Sequence, residues 1–172
     1  MSAKCGTACR YGWPVTRALH PNVRRVAEAL AAAGAGGTLR EFDRPVTTAA
    51  QAAAVLGVEV GAIANSLVFA ADGEPVLVLT SGAHRVDTAL VARLLGVSRL
   101  DRADKDLVRA ATGQPIGGVA PVGHPAPLRT LVDTALAPHP VVWASAGAPH
   151  TVFSTSYPEL LRITGGSPAE VG

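Results

Sequence analysis

Aromatic residues make up only 4 % of this 172-residue chain, and it holds two cysteines and one methionine. Lysine occurs only at Lys4 and Lys105, so the basic charge is almost all arginine. Each scarcity excludes something. With few aromatics, a chain that is 48 % hydrophobic must build its core from Ala, Val and Leu. No apolar run approaches the roughly 18–20 residues needed to cross a bilayer, so the positive mean hydropathy does not indicate a membrane protein. The N-terminus shows no apolar leader pattern, and the expectation is a cytoplasmic protein. Cys5 and Cys9, even with His20 nearby, fall short of the four ligands of a structural zinc site. Residues 1–19 therefore read as a loosely ordered extension and residues 20–172 as a single domain. That length suffices to bury a good core.

Familiar catalytic signatures are absent too. The sequence has no P-loop, dinucleotide fingerprint, metalloprotease helix or G-x-S-x-G elbow. A net charge of +2 is too small to hold nucleic acid unaided. Arg24, Arg25, Arg40, Arg44, Arg85 and Arg129 either converge on one face or disperse as solvated side chains.

What stands out instead is T-G-Q-P-I-G-G-V-A-P-V-G-H, Thr112 to His124. Four glycines and two prolines among small apolar residues suit neither a helix nor an ordinary strand. Glycine admits backbone angles closed to other residues and lets a ligand approach the main chain. Proline stiffens the loop and removes amide donors at Pro115 and Pro121. The stretch reads as a pocket wall or as a plain connecting loop.

Around it the elements are legible. Pro21 opens a helix with Val23, Val26, Ala27 and Leu30 on one face, stopping at Gly34. Leu39 to Phe42 is a short strand. Thr48-x-x-Gln51 is a capping box for a helix ending near Gly57. Asn65–Ala71 and Pro75–Thr80 form a hairpin about Asp72-Gly73. Asp87 and Asp104 cap two further helices, the second ending at Gly113. Leu128–Val132, Val141–Ser145 and Thr151–Ser154 read as strands. Ser156-x-x-Glu159 caps a last helix closed by Gly165. Helices and hairpins are mixed rather than strictly alternating, which predicts an α+β fold with a mixed, largely antiparallel sheet.

The histidines are scattered, at His20, His84, His124, His139 and His150. His150 is the favoured candidate, because it follows the small-residue bend Ala144-Ser145-Ala146-Gly147 leaving a strand. Asp133 reads as a turn or cap residue in preference to a site residue.

Several blocks then fall in a telling order. They are I-A-N-S-L-V-F (Ile63–Phe69), S-G-A-H-R-V-D (Ser81–Asp87), Ala103-Asp104, T-G-Q-P-I-G-G-V-A-P-V-G (Thr112–Gly123), L-V-D (Leu131–Asp133), A-S-A-G (Ala144–Gly147) and E-L-L-R-I-T-G (Glu159–Gly165). Together they resemble the YbaK/EbsC-type aminoacyl-tRNA deacylases, relatives of the editing domain of prolyl-tRNA synthetases, over residues 20–166. The resemblance implies a curved mixed sheet with flanking helices. It also implies trans-editing, hydrolysis of the ester joining a wrong amino acid to the 3′ end of tRNA, as in Cys-tRNA(Pro) or Ala-tRNA(Pro). The partners it implies are the aminoacyl-tRNA 3′ end and prolyl-tRNA synthetase, with no cofactor and no metal.

Residue by residue, the family's G-x-x-x-P element maps to Gly117–Pro121, and its second pocket loop to Ser145 and Gly147. The amides of Gly117 and Gly118 become candidate donors to the ester carbonyl. Asn65 and His150 are the candidate catalytic residues. Ser66, Arg85, Gly117, Gly118, Pro121, Ser145 and Gly147 are the candidate substrate-binding residues. Asn65 stands where the family usually has lysine, offering a donor and an acceptor but no charge. Three readings follow. Asn65 orients the ester while His150 or Arg85 supplies positive charge, or the substrate is another aminoacyl-tRNA, or the chain is a non-catalytic module binding tRNA or a synthetase.

Overall fold

The computed structural model describes residues 19–44 and 46–172. The expectation for residues 1–19, with Cys5 and Cys9, lies outside the described residues apart from Leu19.

The chain order is α1 (Pro21–Ala32), β1 (Leu39–Glu41), α2 (Ala49–Leu56), β2 (Ile63–Ala71), β3 (Glu74–Ser81), α3 (Thr88–Leu95), β4 (Leu100–Arg102), α4 (Lys105–Thr112), β5 (Arg129–Asp133), β6 (Val142–Ser145), β7 (Thr151–Thr155), α5 (Tyr157–Thr164) and β8 (Ser167–Ala169). Short 3-10 turns precede β2 and follow β5. The strands form one sheet in the order β1-β7-β6-β2-β3-β5-β8, with β4 also on β2. β1·β7, β2·β3, β2·β4 and β6·β7 are antiparallel, whereas β2·β6, β3·β5 and β5·β8 are parallel. This is the mixed, mostly antiparallel α+β architecture expected.

Local chemistry explains the elements. Val23, Val26 and Leu30 bury the inner stripe of α1. His20 Nδ1 accepts the Asn22 amide at 3.2 Å, so this histidine is a helix cap. Beyond Ala32, the Gly34 amide bonds Ala31 O and the Ala35 amide bonds Leu30 O, the pairing of a Schellman stop. Thr48 caps α2 through the Gln51 amide at 3.2 Å. Gln51 Oε1 reaches back to the Thr47 amide, one residue earlier than a strict capping box requires. Asp87, Asp104 and Ser156 accept the amides of Leu90, Leu107 and Glu159. In the β2–β3 hairpin both turn residues have positive φ, 47° at Asp72 and 94° at Gly73, which gives the twist of adjacent strands.

Some expectations need correction. The first strand pairs over Leu39–Glu41, and the Phe42 amide adds a bond to the His150 carbonyl, at 2.7 Å, in the same register. β4 and β8 were not expected from the sequence.

The core divides among the faces of this sheet. Leu77, Leu79, Val132, Val142, Phe153 and Leu160 pack with α1, α4 and α5 on one side. Phe69, Val78, Val91 and Leu131 gather under α3. Ile63 and Trp143 meet Ala52 and Ala53 of α2.

Candidate functional site

The sheet has a breach beside β2. Its β3 edge is paired continuously from Ala64 to Ala71. Its other edge meets β6 only at Ile63 and Ala64, and β4 only from Phe69 to Ala71. Between these ends lies a cavity of about 310 Å³, within the size range of small-ligand sites. It reaches residues on both faces of β2. Ser66 and Val68 face α4 and the Gly/Pro loop, while Ile63 and Asn65 face α2 and Trp143.

Four predicted residues meet there: Asn65 and Ser66 from β2, Gly117 from the Gly/Pro loop, and Ser145 from the end of β6. The Ser66 hydroxyl is buried and has no hydrogen-bond partner among the described residues. Ser145 Oγ receives a long bond, 3.4 Å, from the Gly147 amide. The wall is otherwise mostly apolar, with Phe42, Val108, Val119 and Trp143 prominent.

The Gly/Pro loop is held from within by a residue to which the sequence assigned no role. Gln114 is 1 % exposed. Its Oε1 accepts the Ala120 amide at 2.6 Å, and its Nε2 donates to Val122 O at 3.3 Å. Its own amide is bound by Thr112 Oγ1, which in turn bonds Val108 O. A carboxamide thus closes the loop on itself, and a turn over Pro115–Gly118 projects Gly117 at the cavity with φ +85°. The Gly118 amide donates to Pro115 O at 3.0 Å within that turn, so it is committed to the loop. His124 closes the segment, Nε2 donating to the Ala120 carbonyl at 2.8 Å. Burial pushes its pKa below the ordinary histidine value, with the Ala120 bond pulling weakly the other way.

The other predicted residues lie off the cavity wall. Gly118 and Gly147 are points of close approach. A Cβ would meet Ala148 Cα at 3.1 Å from the first and Asn22 O at 3.0 Å from the second. Pro121 is buried in the loop. Arg85 is exposed between β3 and α3, beside Gly172. His150 turns its Nε2 to Glu41 Oε1 at 3.6 Å, and its carbonyl holds the chain at Phe42.

Arg102, at the end of β4, was not anticipated. Among the described residues it is the one charged side chain on the cavity wall. Asp101 beside it is engaged by Arg99 at 2.6 Å. A second arginine, Arg40, lies over the Trp143 ring at 5.2 Å from its centre. A mostly apolar cavity with a few polar groups at a strand edge and a guanidinium on its wall suits a small organic group carried on an anionic chain. Among the described residues no helix is long and apolar enough to cross a membrane, and no three metal-ligating side chains converge.

Comparison with known proteins bears on this geometry. Residues 43–163 match the family model described as "Aminoacyl-tRNA editing domain". A proline–tRNA ligase of Nitratidesulfovibrio vulgaris strain DP4 is 35 % identical over 133 residues, which is 76 % of this chain and 22 % of that one. The ligase of Geobacter sp. strain M21 is 37 % identical over 84 residues, 49 % of this chain and 15 % of that one. The chain thus spans about a fifth or less of the length of these curated relatives. Among solved structures, a candidate trans-editing enzyme for prolyl-tRNA synthetase superposes with TM-score 0.84 at 41 % identity, over 90 % of this chain and 98 % of that one. The hypothetical protein APE2540 gives TM-score 0.79 at 30 % identity, over 86 % and 98 %. The family match covers the hairpin, the Gly/Pro loop and the cavity wall apart from Phe42, and this chain belongs to the aminoacyl-tRNA editing domain family.

Proposed function

We propose that this protein is a trans-editing deacylase that hydrolyses the ester of a mischarged tRNA of the Cys-tRNA(Pro) or Ala-tRNA(Pro) kind in the cytoplasm. The observation that carries the reading is the cavity itself, with polar groups at an open strand edge and Arg102 as its charged wall residue. An aminoacyl ester is already activated. The site must hold it, stabilise charge on its carbonyl oxygen and admit water. Water adds to the ester carbon, the bond to the ribose oxygen breaks, and one water proton ends on that oxygen. The Gly117 amide supports a role at the carbonyl, and Arg102 a role on a phosphate near the 3′ end. Asn65 orients the ester through its carboxamide.

A second reading, a non-catalytic module that binds tRNA or a synthetase, draws on Asn65, whose carboxamide neither carries charge nor exchanges a proton. The separating experiment is deacylation of a panel of mischarged tRNAs, Cys-tRNA(Pro) and Ala-tRNA(Pro) included. Turnover that falls in Asn65→Ala and rises in Asn65→Lys is the expected result. Silence across the panel with tRNA binding retained would replace the enzyme by the binding module.

A further inference from the structure

Ser66 sits in the middle of the breach, and the ladder registers define what it offers. The Val68 carbonyl accepts the Ala103 amide at 3.2 Å on the β4 side of β2. In an antiparallel ladder, backbone groups alternate between the two edges. Ser66, two residues before Val68, therefore turns its own N–H and C=O to that same edge. β6 has stopped pairing at Ala64 and β4 has not begun until Phe69, so among the described residues no strand meets Ser66 there. The hydroxyl of the same residue is buried without a partner, and the residue lines the cavity. Three hydrogen-bonding groups of one residue are thus unmatched by the described residues at one place. Backbone polar groups inside proteins are otherwise nearly always paired, and a buried orphan in a native fold calls for an explanation.

An aminoacyl ester is complementary to this pattern. It carries an ammonium donor on the α-carbon and a carbonyl acceptor one bond further on. An extended residue presents the reverse, a carbonyl acceptor and an amide donor, along one edge. We propose that Ser66 reads the amino-acid end of the substrate. Its carbonyl and hydroxyl oxygens accept from the α-ammonium, and its N–H donates to the ester carbonyl. The substrate thereby completes the missing rung of the sheet, as peptides do when they add to a strand edge. This rests on the deacylase reading above and specifies what that site recognises: a free α-amine beside an ester, with the side chain left to the apolar walls at Val68, Val108 and Val119.

The test compares a substrate with its N-acetylated form, the same mischarged tRNA in both cases, on the wild-type protein and on Ser66→Ala. Acetylation removes the ammonium charge. The expected result is at least a tenfold loss of kcat/KM on the acetylated substrate, since hydrogen bonds to a charged group are the stronger kind. Ser66→Ala keeps the main chain and loses the hydroxyl. It should raise KM about fivefold, leave kcat near wild type, and narrow the preference for the free amine without abolishing it. Its Tm should not fall, because the hydroxyl removed has no partner in the fold. Equal rates on free and acetylated substrates would overturn the assignment while leaving the deacylase reading in place. So would a Ser66→Ala protein with wild-type KM and undiminished preference for the free amine. A wild-type protein silent on every mischarged tRNA would overturn the deacylase reading, and this assignment with it.

Discussion

Two polar groups within the same sheet, Asp133 at the end of β5 and Ser66 in the middle of β2, have opposite surroundings. Asp133 is fully buried, yet both its oxygens are occupied. Oδ2 accepts the Ser81 amide at 2.9 Å and Thr80 Oγ1 at 3.3 Å, and Oδ1 accepts the Ala135 amide at 3.0 Å. His84 Nδ1 stands 3.1 Å from the same carboxylate. The carboxylate stitches β3 to β5 and caps the turn that follows. Ser66 has the reverse condition: a hydroxyl with no partner and a backbone edge with no strand. The contrast separates two uses of polarity inside a protein. A group whose bonds are all made within the chain is spent on the fold. A group whose bonds are missing, on a cavity wall, is available to something else.

Asp133→Ala should break the satisfied side of this contrast and give the largest effect. It leaves the buried Ser81 amide and the half-buried Ala135 amide without acceptors, and a loss of about 3 kcal/mol or more is expected from urea unfolding. Deacylation per folded molecule should change little, because Asp133 does not line the cavity. A loss of turnover out of proportion to the unfolded fraction would show that the two places are coupled.

Next in size is Arg102→Ala, on the unsatisfied side. The guanidinium has no ion-pair partner among the described residues, so folding stability should stay within about 0.5 kcal/mol of wild type. Losing one phosphate contact should lower kcat/KM about tenfold, mainly through KM, and reduce the salt slope of tRNA binding by about 1. Arg102→Lys should recover part of the affinity, since charge is kept and the planar fork is not. An unchanged salt slope in Arg102→Ala would remove the phosphate role.

The same contrast explains what could be read from the sequence. The hairpin was legible because Asp72-Gly73 can adopt the two positive φ angles its turn requires. The helix starts were legible because Thr48, Asp87, Asp104 and Ser156 bond amides three residues ahead, a purely local act. β4 and β8 were not, since Leu-Asp-Arg and Ser-Pro-Ala are too short to show alternation and exist only through partners far along the chain. Asn65, Ser66, Gly117 and Ser145, which line the cavity, could be named from the sequence because they lie in contiguous motifs. Arg102 was missed because nothing local distinguishes it from the other arginines; only the pairing of β4 with the far end of β2 brings it to the cavity. Gln114 was overlooked inside the very loop that drew attention, because a clamp is recognised by its bonds and not by its residue type. His150 drew attention through a small-residue bend, yet its ring goes to Glu41.

The smallest expected effect concerns His124, whose buried ring resists taking up a proton. Its Nε2–H is spent on Ala120 O, and burial holds its pKa below the ordinary value of 6.5. In the unfolded chain the ring takes up a proton near 6.5, whereas in the fold it resists until lower pH. Between those two points the unfolded state binds more protons, so stability falls as the pH is lowered. The contribution is fully present above 6.5 and is lost as the pH drops through the folded value. Thermal unfolding from pH 8 down to 5.5 should therefore show a steeper decline in Tm for the wild type than for His124→Gln, which keeps an N–H donor but cannot titrate. Parallel curves for the two proteins would mean that the loop tolerates a charged ring.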